Sequence, residues 1–371
     1  MFVFNSIFII VLATFHQVSA VNVVCYFSSS NGYQAAPPEN LDANLCTHIN
    51  YAFVSLLGNG SLTYANEPLD ITLNMYGRVV GLKENNPDLK VLLSVGGVST
   101  SIFAQVAANE TSRKVFARSA RHFMETYKFD GIDIDWEFPT AIHKEDFTSL
   151  LTDLRDNFGS EFLITAALAA IPKTGYDIPK LSEILDYINV MSYDFYGAWS
   201  EYTGQTSALF PASIESSYEK AYLNIAATAK NWVKGGAAPN KLNVGVAFYG
   251  RQFTLQDPSV HGLHAPITGA GTRVSATYSL ICQNYANWTR VWDEEQKNPY
   301  KYLNDQWIGY DDLESIRLKA LYILKMEYAG IMIWQIGSDD VFGKCGEKQG
   351  LLSVINKQVK MYKLRKSRKR S

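Results

Sequence analysis

Cysteine is scarce in this chain, with Cys25, Cys46, Cys282 and Cys345 the only four in 371 residues. Four can form two disulfides in any of three connectivities, and none is left for a separate cysteine-rich accessory module. Long apolar runs are missing as well. Beyond Met1–Ala20 nothing is long enough to cross a bilayer, so no membrane span is expected. Internal repeats and low-complexity linkers are absent, which argues against a repeat array or a string of tethered modules. A basic excess is also lacking, because the formal net charge is −2. Six positive charges sit in the last nine residues, at Lys363, Arg365, Lys366, Arg368, Lys369 and Arg370, and setting these aside leaves −8 on Val21–Tyr362. Such an acidic body is not expected to have a nucleic-acid partner.

What is present begins with an apolar stretch over Phe8–Ala13 that closes on the small-residue pattern V-S-A at Ala20. This reads as a secretory signal cleaved after Ala20, although its first residues carry no Lys or Arg. A secreted, extracellular product fits an even cysteine count in an oxidising compartment. Sequons at Asn59, Asn109 and Asn287 point the same way.

From Val21 on, short β-branched runs alternate with longer helical patterns, the rhythm of parallel strands covered by helices. Eight strands are predicted: 22–27, 47–53, 91–95, 131–136, 162–167, 187–193, 243–249 and 330–335. Helical patterns lie between them, for example over 112–127, 144–157 and 216–234. The reading is a (β/α)8 TIM barrel over residues 21–362. The rhythm fails from Gln252 to Trp307, where Gly, Pro, Ser and aromatic residues replace a clean helix. That interval is far longer than an ordinary loop and reads as an inserted α+β subdomain between strand seven and its helix. Residues 363–371 read as a basic, disordered tail.

The most informative stretch is F-D-G-I-D-I-D-W-E-F-P, Phe129–Pro139. Acids and apolar residues swap at period two, which puts Asp133, Asp135 and Glu137 on one face of a strand and Ile132, Ile134 and Trp136 on the other. Three stacked carboxyls in a partly buried site cannot all ionise cheaply, so the row should keep at least one proton near neutral pH. A general acid needs that proton, and Glu137, outermost in the row, is placed to give it. A calcium site is the competing reading, but that cation wants six or more oxygens from a flexible loop, not a rigid strand, so no metal is expected.

D-G-I-D-I-D-W-E-F-P resembles the signature of the chitinases of glycoside hydrolase family eighteen. Further segments resemble the family in chain order: C-Y-F at 25–27, Y-A-F at 51–53, S-V-G-G at 94–97, M-S-Y-D-F-Y-G at 191–197, Y-G-R-Q-F-T-L at 249–255 and I-M-I-W-Q at 331–335. The resemblance implies the same barrel and insertion, pairing of Cys25 with Cys46 and of Cys282 with Cys345, no cofactor, and hydrolysis of chitin or chitooligosaccharides by a monomer. It implies that Glu137 protonates the glycosidic oxygen and that the substrate's own acetamido group attacks the anomeric carbon. Asp135 would orient that acetamide, Asp133 would share a proton with Asp135, and Tyr193 with Asp194 would hold polar groups of the sugar. Trp334 would floor the subsite where the bond breaks. Met191, Gly97, Trp136, Tyr26 and Phe53 are expected around the cleft, Arg251 as a sugar contact or a partner for a cleft carboxylate, and Tyr196 and Trp199 as stacking platforms. Alternatives within the same fold are a chitin-binding lectin or growth-factor-like protein that has lost catalysis, and an enzyme acting on the chitobiose core of N-glycans.

The chain departs from the family's common pattern at Val98 and Ser30, where relatives often carry Trp, although Tyr33 is a further candidate platform. Each stacking surface lost is worth about 1 kcal/mol, so two weaken binding of long chains roughly tenfold to thirtyfold. Val98→Trp is therefore expected to raise affinity for long chitooligosaccharides severalfold. Calorimetric titration checks this, and an unchanged affinity would show that the position does not face the sugar.

Overall fold

The computed structural model describes residues 21–29, 36–97 and 100–368. The expected signal over Met1–Ala20 and the positions Ser30, Tyr33 and Val98 lie outside the described residues.

Eight parallel strands close into a barrel: β1 (Asn22–Ser28), β2 (His48–Leu56), β3 (Lys90–Gly96), β4 (Gly131–Asp135), β5 (Leu163–Ala169), β6 (Tyr187–Met191), β7 (Leu242–Ala247) and β8 (Gly330–Trp334). Each pairs in parallel with its sequence neighbours, and β8 pairs with β1 to complete the ring. A closed parallel sheet covered by helices buries both faces of its strands, which is why β1 and β7 are buried at every residue. The outer face packs under amphipathic helices such as Glu110–Tyr127 and Lys144–Phe158. The first of these is capped by Asn109, whose side chain accepts from Ser112 N at 3.0 Å.

Several sequence expectations shift at their edges. The helical pattern over 216–234 is two helices, Ser217–Tyr222 and Ile225–Lys234, because Asn224 is extended and caps the second through Ala227 N. The seventh strand ends at Ala247, and Tyr249–Leu255 already belongs to the inserted lobe. The lobe is an antiparallel five-stranded sheet in the order Ile267–Thr277, Tyr249–Leu255, Gln306–Gly309, Asn298–Leu303 and Thr289–Asp293, with the helix Tyr278–Asn284. The tail expectation is corrected: residues from Lys363 as far as Arg368 are not disordered but continue the helix Gly350–Arg368.

Both disulfides implied by the family resemblance are present. Cys25–Cys46 joins β1 to the residues before β2, and Cys282–Cys345 ties the lobe's helix to the loop after β8. The chain leaves the lobe through a buried ion pair between Lys319, on the helix Leu313–Lys325, and Asp311, which also accepts from Ser315 Oγ at 2.7 Å. Removing one member of a buried pair strands the other's charge. Lys319→Met should therefore lower unfolding free energy by about 3–5 kcal/mol. Guanidinium titration checks this, and a loss under about 1 kcal/mol would mean that the pair is not what holds this junction.

Candidate active site

The register of β4 sets the site. Asp133 lies level with Ser94 on β3 and Thr165 on β5, and side chains level with one another in a parallel sheet share a face. Both neighbouring hydroxyls donate to it, Ser94 Oγ to Oδ2 at 2.8 Å and Thr165 Oγ1 to Oδ1 at 2.6 Å. Tyr26 on β1 adds its hydroxyl to Oδ2 at 2.7 Å, and Asn189 on β6 its amide to Oδ1 at 3.2 Å. Four donors fill the lone-pair capacity of a carboxylate, so a proton shared with Asp135 would have to displace one of them. Burial raises the Asp133 pKa, and these hydrogen bonds pull against that rise. Behind Asn189 the layer continues as a row of amides, Asn243 Nδ2 donating to Asn189 Oδ1 at 2.9 Å and Asn22 Nδ2 to Asn243 Oδ1 at 3.2 Å.

One step outward, Asp135 is also buried, but its Oδ1 has no hydrogen-bond partner among the described residues. Desolvation, with Glu137 and Asp133 adding their charge, holds its pKa well above the usual carboxylate range. The backbone here is crowded. Gly96, at φ 132°, is level with Asp135, and a Cβ on it would stand 1.9 Å from the Asp135 carbonyl oxygen, so only glycine fits. Gly97 follows at φ 96°, donates its N–H to the same carbonyl at 3.0 Å, and leaves room for the Phe53 ring.

Glu137 stands beyond the strand end, half-buried, on the wall of a cleft of about 750 Å³. Burial, with the Asp194 carboxylate adding to it, pushes its pKa up to about 7. Asp194, at φ 57°, is held from the inserted lobe: Arg251 clamps it with Nε at 2.7 Å and Nη2 at 2.8 Å, and Tyr249 donates its hydroxyl at 2.8 Å. The Arg251 guanidinium lies 5.5 Å from the centre of the Trp199 ring, which is 62% exposed and can present its open face to a ligand. Tyr193 and Met191 project from the end of β6 into the cleft, and Trp334 lies at its floor, stacked on Phe53 with centroids 5.9 Å apart.

The structure thus brings Asp135, Glu137, Tyr193, Asp194, Met191, Phe53, Gly97, Arg251 and Trp334 to one cleft. Three expectations are corrected. Trp136 does not reach the cleft, because alternation turns it to the helix side, where it stacks on Phe103 at 5.5 Å and meets Phe147 edge-on at 5.6 Å. Tyr196 is not an open platform: it is buried, with its hydroxyl donated to Glu219 at 2.7 Å. Tyr26 is not a cleft wall, since it lies beneath the floor as a donor to Asp133. Sequence reasoning missed Ser94, Thr165 and Asn189, whose signal was a lone polar residue in an apolar strand. It also missed Phe138, Tyr249 and Lys173, which line the cleft.

A cleft at the carboxyl ends of the strands, with a glutamic acid of raised pKa on its wall and the Trp334 indole at its floor, defines a (β/α)8 glycoside hydrolase. The family model of Glycosyl hydrolases family 18 matches residues 22–339, and the chain belongs to that family. It is 35% identical to chitotriosidase-1 of Mus musculus, over 88% of this chain and 75% of that protein. It is 33% identical to the endochitinase of Manduca sexta, over 95% of this chain and 70% of that one. Among solved structures, the Ostrinia furnacalis group IV chitinase in complex with allosamidin superposes with a TM-score of 0.87 at 33% identity, covering 92% of this chain and 99% of that one.

The raised Glu137 pKa fixes the sign of one pH effect. The acid form is the competent one, so kcat/KM should be full below the folded pKa and fall as pH rises through about 7. A pH–rate profile on a soluble substrate checks this. A limb near the ordinary value of 4.5 would show that Glu137 is not the titrating acid.

Proposed function

We propose that this chain hydrolyses the β-1,4 bonds between N-acetylglucosamine units of chitin or chitooligosaccharides, with retention of configuration and with the substrate's acetamido group as nucleophile. The observation that carries the reading is the contrast within the carboxyl row: Asp133 is saturated by four donors, whereas Asp135 has a bare, buried Oδ1 beside Glu137. An unpaired buried acceptor is costly, and an acetamide N–H from a bound sugar would satisfy it. Glu137 gives its proton to the glycosidic oxygen while the acetamide oxygen attacks the anomeric carbon and the leaving sugar departs. An oxazolinium ion results, and its positive charge develops beside the Asp135 carboxyl group, which stabilises it. Tyr193 offers its hydroxyl to the acetamide oxygen. It is fit for that task because burial keeps its pKa well above 10, so it stays a donor. Water then adds to the anomeric carbon as that carbon's bond to the acetamide oxygen breaks, and the Glu137 carboxylate takes the water's proton, which restores the N-acetyl group and the starting acid.

Trp334 is the floor for the sugar whose bond breaks, and Trp199 a platform beyond it. Arg251 serves by fixing Asp194, whose charge helps keep Glu137 protonated. The two disulfides support the reading of residues 1–20 as an export signal and of the product as secreted. No helix among the described residues is long and apolar enough to cross a membrane.

Glu137→Gln fills the same space without a proton to give, so kcat on a chitooligosaccharide should fall by about two to four orders of magnitude. Calorimetric affinity for the same oligomer should change little. A variant that keeps more than a few per cent of the rate would overturn the assignment of the acid.

A further inference from the structure

The helix Gly350–Arg368 changes character along its length. Leu351, Leu352, Ile355 and Val359 are buried against the barrel, and among the described residues none beyond Val359 is. The last turns are tethered on one side. Tyr362 donates its hydroxyl to Glu327 at 3.3 Å, and Lys366 pairs with the same Glu327 at 2.7 Å. Glu327 lies three residues before β8 begins, so the helix end sits at the amino-terminal pole of the barrel, opposite the cleft.

On the opposite side Met361 and Leu364 are 46% and 60% exposed, one helical turn apart. Around them stand Lys360, Lys363 and Arg365, exposed and without an ion-pair partner among the described residues. The sequence holds no acidic residue after Glu347, although the body of the protein is acidic. A helix end that combines several free cations with exposed leucine and methionine complements one kind of surface, an anionic lipid bilayer. Phospholipid headgroups meet the cations and the acyl boundary accepts the apolar pair. A sulfated polysaccharide would use the cations and leave Met361 and Leu364 in water.

We propose that the exposed face of Lys360–Arg365 docks this protein on anionic lipid surfaces, with its cleft turned away from the bilayer. The acidic remainder of the domain is repelled by such a surface, which favours this one orientation.

Cosedimentation of the full chain with phosphatidylcholine vesicles, with and without phosphatidylserine, tests the proposal. The wild type should bind only the phosphatidylserine vesicles and lose affinity as salt rises. Each cation near an anionic surface is worth about fivefold, so Lys360→Gln/Lys363→Gln/Arg365→Gln should lose roughly a hundredfold. Met361→Ser/Leu364→Ser should weaken vesicle binding severalfold while leaving retention on heparin resin unchanged. Unchanged circular dichroism and hydrolysis of a short soluble chitooligosaccharide would show that each variant is folded. The proposal is overturned if the wild type is held by heparin but not by phosphatidylserine vesicles, if the triple variant binds vesicles like the wild type, or if the serine variant keeps full vesicle affinity.

Discussion

A carboxylate in the middle of a closed barrel is tolerable only if the strands around it supply the hydration it has lost. Asp133 is that group, and its four donors come from β1, β3, β5 and β6. Four strands must therefore keep register with β4, because a slip of one residue would turn the needed hydroxyl or amide to the helix side. The same register sets Asp135 one level higher with Gly96 beside it, and sends the chain out of the strand toward Glu137. Solvation of one charge thus fixes the height of the whole carboxyl row.

The fold was legible because its signal is repetitive. Eight apolar runs separated by helical patterns leave few architectures, and the acid alternation at 131–137 predicted which face of β4 each residue takes. Trp136 shows how a correct face assignment can coexist with a wrong role: alternation put it among the helix-facing residues, and only its place in a shared motif suggested the cleft. Tyr196 was illegible for a different reason. Its partner Glu219 lies 23 residues away on a separate helix, and nothing local announces that contact. The donors Ser94, Thr165 and Asn189 each looked like a single polar interruption, and their meaning depends on register between strands far apart in sequence. The basic tail was misread as far as Arg368 because charge density resembles a solvated end, while Tyr362 and Lys366, both on Glu327, hold that part as helix.

The inserted lobe contributes more than a wall. Its first strand carries Tyr249 and Arg251 to Asp194, at the end of β6 on the barrel, and Asp194 in turn raises the pKa of Glu137. A residue of the lobe therefore reaches the acid electrostatically, with no contact to the scissile bond. The Cys282–Cys345 bridge holds the lobe's helix to the loop after β8, so this relay joins two parts of the chain that are also covalently tied.

The amide row from Asn22 through Asn243 and Asn189 to Asp133 donates in one sense throughout. A carboxylate only accepts, so the amide facing it must turn its nitrogen inward, which leaves its oxygen for the next amide, and so on to β1. The charge at one end is thus a boundary condition that selects one of two mirror arrangements of the row. Replace that end by a group able both to give and to accept, and the two arrangements become nearly equal in energy, so the barrel's interior would lose a polarity that no single amide can impose.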